Sequence, residues 1–283
     1  MTSEIKNFIF PSTVKEAVRL LKKYRSGALL LAGGTRAVRS VAPGVNCIVD
    51  MRDLPLKHIK ADAKWLRIGA MCTFAEMEKS ALLKKWAGGI IASAAARGSS
   101  CLMRNMATVG GNLVRAYPFN NFPPVFLTLE AHVAIAGAGR VTIVPLPEIY
   151  GGAVGSSLGR SLMLTEVLIP AFTRDWKGSF EKLSKTETDW ESYADAAAAV
   201  SVKGGKCMSA RIAVGSITPR AVRIGAAEKI LNGENVSAGL AQKAQEAVRE
   251  ALEGLPVVSS LKEYRKEAAA VLVKRCLLRA FGL

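Results

Sequence analysis

Histidine is almost missing from this chain: His58 and His132 are all that 283 residues supply. Ser-His-Asp, Cys-His and multi-His metal chemistry each need an imidazole beside other specific groups, and neither histidine has a ligand-spaced neighbour. His132 stands in the strand-like run Glu130-Ala131-His132-Val133-Ala134-Ile135 and is expected at a core or edge position. Cysteine is sparse and scattered. Cys47, Cys72, Cys101, Cys207 and Cys276 are odd in number and contain no CxxC, which excludes a disulfide framework and gives no zinc or iron–sulfur site of the chain's own. They are expected to be buried thiols. No apolar run reaches the roughly 18 residues of a membrane span, and the start MTSEIKNFIF lacks the features of a signal peptide. A soluble cytoplasmic protein is the expectation.

Acidic residues are also few, 23 against 39 basic ones, for a net charge of +16. The basic residues are dispersed, with Lys22-Lys23 and Lys84-Lys85 the densest pairs, and no aromatics interleave them, which weighs against nucleic acid as a partner. Such a surface suits acidic partner subunits or an anionic cofactor. What is present is an ordinary folded composition: 50% hydrophobic residues, 25 Gly and 11 Pro. The length allows two to three domains with a sizeable core. Chemistry in such a chain would be carried by a bound cofactor.

Thr13-x-x-Glu16 is a capping box for an amphipathic helix over 13–25, closed by Gly27. Residues 28–31 and 45–50 are strand-like, separated by Ala32-Gly33-Gly34-Thr35. A strand over 65–70 precedes a second capping box, Thr73-x-x-Glu76, whose helix carries Phe74, Met77, Leu82 and Leu83; a helix over 86–96 follows. Residues 103–113 are too glycine-rich and polar for a core element and predict an ordered loop. A short helix and a hairpin turned at Gly137-Ala138-Gly139 are expected within 125–143. Strands over 162–169, 177–184, 196–203 and 208–216 suggest one antiparallel sheet, followed by helices over 224–231, 237–252 and 260–281, the last opened by a Ser260-x-x-Glu263 box. The change of texture puts a domain boundary at about 172–176, with an α+β module after it.

Gly33-Gly34 and Gly110-Gly111 each border apolar, strand-like sequence and precede a polar residue. Glycine lets backbone N–H groups converge on an anion, so the pairs form either a diphosphate cradle, with Thr35, Thr108 and Asn112 adding side-chain bonds, or two ordinary tight turns. Neither is a GxGxxG nor a GxxxxGK[ST], so Rossmann and P-loop binding are unsupported.

The motifs Ala32-Gly33-Gly34-Thr35, Arg67-Ile68-Gly69-Ala70-Met71-Cys72-Thr73-Phe74-Ala75-Glu76 and Arg104-Asn105-Met106-Ala107-Thr108-Val109-Gly110-Gly111-Asn112-Leu113 stand in this order. With Pro123-Pro124, Leu129-Glu130-Ala131, Gly215-Ser216-Ile217-Thr218-Pro219-Arg220-Ala221-Val222-Arg223 and Tyr264-Arg265 they span nearly the whole chain. Together they resemble the FAD-binding medium subunit of the molybdenum hydroxylases, of the carbon monoxide dehydrogenase and xanthine dehydrogenase type. The resemblance implies an α+β fold: a FAD-binding region of the vanillyl-alcohol-oxidase or molybdopterin-dehydrogenase type over 1–174, made of two α/β subdomains with the small one about 1–55. A C-terminal α+β domain with an antiparallel sheet and helices would cover 175–283.

By the same resemblance, Ala32, Gly33, Gly34, Thr35, Arg36, Ala37 and Val38, with Thr108, Gly110, Gly111 and Asn112, would hold the FAD diphosphate through backbone amides. Asn121 would belong to the pocket, Leu164 would lie along the flavin, and Lys182 would supply positive charge near the isoalloxazine. No catalytic residue is implied in this chain. Electrons would come from a molybdopterin-binding large subunit through an iron–sulfur small subunit and pass through FAD to NAD+, a quinone or another acceptor. The chain departs from the pattern at Arg36, where an acidic residue is frequent, and at Asn121, where Asp is common; both remove a carboxylate. The arginine-rich stretch usual after the lysine is replaced by Lys185-Thr186-Glu187-Thr188. Either Trp190 or Tyr193 could face the isoalloxazine. A flavin-free structural subunit, and a self-standing flavin oxidoreductase like the enolpyruvyl-sugar reductases, are the alternatives; flavin uptake and substrate reduction by the chain alone discriminate them.

Overall fold

Three sheets organise the chain in the computed structural model, which describes residues 4–39, 41–114, 117–137, 139–258 and 260–283. The first is parallel: β1 (Asn7–Ile9) and β2 (Ala28–Leu31) flank β3 (Cys47–Asp50). Helix α1 (Val14–Tyr24) buries Ala17, Val18, Leu20 and Leu21 against it, capped as expected by the Thr13 hydroxyl, which accepts the Glu16 N–H. The helix stops earlier than Gly27. Arg25 takes the positive φ of 49° and a tight 3₁₀ turn, Arg25–Gly27, leads into β2.

The second sheet has five antiparallel strands in the order β4 (Ile59–Ala61), β5 (Trp65–Gly69), β8 (Met163–Pro170), β6 (His132–Gly137), β7 (Arg140–Pro145). The expected β6–β7 hairpin is present; Ala138 of its turn lies outside the described residues. Short helices fall between its strands in the chain, of which α6 packs on β8: α2 (Phe74–Lys79), α3 (Ala81–Lys85), α4 (Ile90–Ala96), α5 (Cys101–Met106), α6 (Val109–Val114), α7 (Phe122–Thr128) and α8 (Gly152–Ser157). Thr73 and Glu76 form the full capping box at α2. The single helix expected across 73–83 is two, because the Ser80 hydroxyl caps α3 by accepting the Leu83 N–H. Likewise 86–96 is interrupted by Ala87 and Gly88, both at positive φ, before α4 begins. Residues 103–113 are mostly helical instead of looped: α5 and α6 meet at Ala107-Thr108. Trp86, Phe122, Phe126 and Phe180 are fully buried in the core between these helices and the sheet.

The third sheet, in the order β12 (Val222–Arg223), β11 (Lys206–Gly215), β10 (Ser192–Lys203), β9 (Lys177–Ser184), is antiparallel throughout. Four strands were expected here, but the 162–169 strand is β8 of the second sheet, and the fourth place is taken by the two-residue β12. Alternation explains the alanine-rich β10. Ala197 and Ala199 face the first core; Ala194, Ala196, Ala198 and Val200 face a second one covered by α9 (Gly225–Leu231), α10 (Ala238–Glu253) and α11 (Lys262–Phe281). A strand buried on both faces has no polar side, and small side chains let helices approach it closely. The Ser260 capping box does not form: Leu261 precedes α11 at φ 61° with no side-chain cap, and the Ser260 carbonyl instead accepts Arg265 Nε.

Of the five thiols, four are buried as expected; Cys101 is exposed on α5, a helix with no buried residue. Both histidines are structural: His58 Nε2 bonds Glu166 at 2.7 Å, and His132 opens β6 with Nδ1 near the Glu130 carbonyl and its ring edge-on to Trp65.

The Gly215-Ser216 and Tyr264-Arg265 motifs meet at one buried carboxylate. Asp195 Oδ2 accepts from Ser216 Oγ at 2.5 Å and Ser192 Oγ at 3.2 Å. A Cβ on Gly215 would stand 2.2 Å from Asp195 Oδ1, so only glycine fits. Arg265 Nη1 donates to the Ser192 and Tyr193 carbonyls and ties α11 to this corner. Burial pushes the Asp195 carboxyl up to about 7 from an ordinary 3.8, against the pull of the serine donors and the Lys182 charge. With the folded value raised, the folded chain keeps a proton that the unfolded chain releases near pH 4. The stabilisation is complete below that point and is lost as pH climbs to about 7. The thermal midpoint is therefore expected to fall across this window, and Asp195→Asn, which keeps the acceptor oxygen, to remove most of that slope in melts read by far-UV circular dichroism.

Candidate cofactor-binding site

The turn after β2 contains Gly33 and Gly34, and the α5–α6 junction contains Ala107 and Thr108; the two come into backbone contact. A Cβ on Gly33 would fall 1.7 Å from the Met106 carbonyl oxygen. Gly34 turns at φ 69°. Gly110 is pressed against Ala70, where a Cβ would meet the Ala70 carbonyl at 2.8 Å. Glycine is thus required twice for close approach of backbone to backbone.

The contact closes one end of a cleft of about 350 Å³. Its walls are Ala32 to Ala37 on one side and Thr108, Gly110, Gly111, Asn112 and Asn120 on the other; the apolar floor includes Leu29, Leu30, Met51, Met163 and Leu164. Among the described residues Arg36 is the only charged one lining it, and no carboxylate does. Val38, expected in the cradle, lies outside the wall and is 66% exposed.

The two glycine loops differ in what they offer. Val109 and Gly110 donate their N–H groups to the Cys72 and Ala70 carbonyls, while Gly111 and Asn112 donate to Thr108 Oγ1 and the Thr108 carbonyl. The helical turn of α6 consumes its own amides. By contrast, Gly33, Gly34 and Thr35 donate to no acceptor among the described residues. The first loop is the one with N–H groups to spare, and the second contributes the Thr108 hydroxyl and side-chain amides. Asn112 also braces the wall: its Oδ1 accepts the Phe122 N–H at 3.3 Å, at the start of α7, and its carbonyl accepts Asn120 Nδ2.

Asn121 and Lys182 do not reach the cleft. Asn121 is buried and its Nδ2 donates to the Ala94 and Arg97 carbonyls at 3.2 and 3.0 Å; Lys182 Nζ donates to the same Arg97 carbonyl at 3.3 Å and to the Asp189 carbonyl at 2.6 Å. Both serve the carbonyl-rich C-terminal end of α4, where positive and donor groups are favoured. Burial pulls the Lys182 ammonium below its ordinary value, and the nearby Asp195 and Asp189 oppose this. Asn120, the cleft-lining neighbour, is the residue that sequence reasoning missed.

Arg36 lies with its guanidinium carbon 3.9 Å from the centre of the Tyr117 ring and 4.8 Å from that of Trp190. Tyr117 stacks on Trp190 at 5.3 Å and Phe119 meets both edge-on. Of the two open aromatic candidates, Trp190 thus belongs with the first loop. Tyr193 instead packs under Arg265 and against Tyr264.

Free N–H groups, one cation, no lining carboxylate and an apolar floor fit a dinucleotide diphosphate with its flat rings. Residues 3–172 match the family described as the FAD binding domain in molybdopterin dehydrogenase, and residues 179–280 match the carbon monoxide dehydrogenase flavoprotein C-terminal domain. The chain belongs to this flavoprotein family. Its cofactor is FAD, and its place is among the oxidoreductases of the molybdenum hydroxylase group. It is similar to the carbon monoxide dehydrogenase medium chain of Hydrogenophaga pseudoflava, with 27% identity over 96% of each chain. Identity to the nicotine 6-hydroxylase medium subunit of Paenarthrobacter nicotinovorans is 24% over 95% of each. The fold superimposes on the structure of the H. pseudoflava carbon monoxide dehydrogenase lacking the Mo-pyranopterin moiety with a TM-score of 0.89, covering 100% of this chain and 99% of that one at 27% identity. No helix among the described residues is long and apolar enough to cross a membrane.

Gly33→Ala is the sharpest test of the cleft. Its Cβ has no room beside the Met106 carbonyl, so the first loop must shift and misplace its free N–H groups. With hydrogen bonds to charged groups contributing about 1.5–3 kcal/mol each, FAD affinity is expected to drop about tenfold or more in flavin fluorescence titration, with an unchanged far-UV circular dichroism spectrum.

Proposed function

We propose that this chain is the FAD-carrying electron-transfer subunit of a molybdenum hydroxylase complex. Substrate oxidation would take place on a molybdopterin-binding large subunit, and electrons would arrive through an iron–sulfur small subunit before leaving to NAD+, a quinone or another acceptor. FAD in the cleft supplies the step between one-electron and two-electron carriers. Among the described residues no group of three or more His, Cys, Asp or Glu side chains gathers in a metal-binding arrangement. The iron–sulfur and molybdenum centres would lie on partner chains. Relatives that act on carbon monoxide and nicotine share the fold, which fits a subunit that does not itself select the substrate.

The observation that carries the reading is the first loop. Gly33, Gly34 and Thr35 would bind the diphosphate through their N–H groups, and the Arg36 charge beside them answers its negative charge. Thr108, Asn112 and Asn120 would add hydroxyl and amide donors from the opposite wall. Leu164 and its apolar neighbours would hold the flat part of the cofactor. Asn121 and Lys182 would act one step back, by fixing the Arg97 carbonyl and the 185–190 segment that carries Trp190. The FAD-binding region would end at about 174, with the C-terminal module beginning at 175.

The purified chain, incubated with FAD and freed of excess, is expected to retain about one equivalent with oxidised-flavin absorption bands. Arg36→Ala should weaken retention several-fold and shift Trp190 emission to the red as the ring loses its stacked cation. A chain that takes up no flavin even when reconstituted with its partner subunits would overturn the proposal in favour of a structural subunit.

A further inference from the structure

The two stretches that wall one end of the FAD cleft, Ala28 to Leu30 and Leu158-Gly159, run directly on from the residues that line a second, more open cleft of about 610 Å³. Three cations line it: Lys22 and Arg25 at the end of α1, and Arg160 after α8. Ser26, Ser157 and Ser161 add hydroxyls; a further serine, Ser156, is already bonded to the Ala153 carbonyl. No carboxylate among the described residues lines this cleft, and the proposed flavin site does not use it.

None of the three side-chain charges has an ion pair, a hydrogen bond or a ring contact among the described residues, in a chain that forms such pairs for many other arginines. Like charges gathered without a counter-ion repel one another, and a cleft of one sign concentrates oppositely charged solutes. The end of α1 accounts for one or two cations through the helix dipole, a role that Lys22 and Lys23 fill. It does not account for Arg160, which comes from another element. Nor does it account for Arg25, held at φ 49° and ψ −121°, a backbone conformation that L residues rarely adopt.

The Arg160 wall is pre-ordered. The N–H groups of Arg160, Ser161 and Leu162 all donate to the Ser157 carbonyl at 3.0–3.1 Å, and Gly159 N–H donates to the Leu162 carbonyl at 2.8 Å. We propose that this cleft binds the phosphate group of a small phosphorylated molecule. Two guanidinium forks, one ammonium and three free hydroxyls supply more donors than the two oxygens of a carboxylate can use, and they match the oxygens of a phosphate or pyrophosphate. The site is separate from the FAD diphosphate cradle and does not depend on the FAD reading.

The test is isothermal titration of inorganic pyrophosphate into the FAD-loaded chain at constant ionic strength. One saturable site is expected, weakened about tenfold or more in the Arg25→Ser/Arg160→Ser double variant, whose flavin content and thermal midpoint stay those of the parent. Heats equal to those of matched sodium chloride, or a double variant that binds as the parent does, would overturn it. So would pyrophosphate binding that FAD displaces, since that anion would sit in the FAD cleft, or binding confined to polyglutamate or an oligonucleotide. Because the readout is pyrophosphate heat and not flavin, a chain that failed to hold FAD would still report on this cleft.

Discussion

Backbone meets backbone at Gly33 and Met106, and the cleft depends on that contact. The first loop follows β2 of the parallel sheet, and the α5–α6 junction bridges at Thr108 to Thr73, shortly after β5 of the five-stranded one, so two separately built layers touch there. Any Cβ at Gly33 would enter the Met106 carbonyl. Gly33, Gly34 and Thr35 are half-buried beside this contact and donate to no acceptor among the described residues. Unpaired donors are costly inside a protein and useful at a ligand site. Here one geometric constraint creates both the gap and the groups that fill it.

Arginine after the glycine pair is compatible with an anion site because of where the side chain lies. The stacked Tyr117 and Trp190 rings hold the guanidinium over their faces, which fixes a positive charge at the cleft wall without burying it. Guanidinium is weakly hydrated and planar, so it suits this position better than an ammonium would. The arrangement also fastens the first loop to the segment after β9. That segment is also held next to Trp190 by Lys182, which donates to the Asp189 carbonyl.

The sequence carries local information about this fold well, and contact information poorly. The Thr13 cap and the Thr73 capping box, the strand over 28–31 and the strand over 177–184 follow from hydrogen-bond chemistry and periodicity within a few residues, although Glu16 accepts from Ser12 and leaves the Thr13 box half-formed. The glycine-rich 103–113 segment misleads, because Gly110 is there for close packing on Ala70, Gly111 sits against the Thr108 hydroxyl, and neither breaks the α6 turn. Sheet membership of the 163–170 strand is invisible locally: its apolar run suits either sheet, and only pairing with β5 and β6 decides. Asn120 and Asn121 are the most instructive pair. Adjacent amides at the start of α7 point to different neighbours, one into the cleft and one under α4, and a match by position selects the wrong one for the wall. Trp190 and Tyr193 separate in the same way, by which arginine each one meets.

The C-terminal sheet bears on the cleft without lining it. Its strand β10 is buried on both faces, and β9 presents Lys182 to the Arg97 carbonyl that also receives Asn121. The start of α7, the end of α4 and the third sheet thus converge on one carbonyl, and Trp190 after β9 joins the first loop through Arg36. A ligand held by the first loop stabilises only arrangements in which these contacts are made, by an amount set by its concentration relative to its dissociation constant. FAD bound at the first loop would therefore be thermodynamically linked to the packing of the third sheet on the rest of the chain, even though no described residue of that sheet lines the cleft.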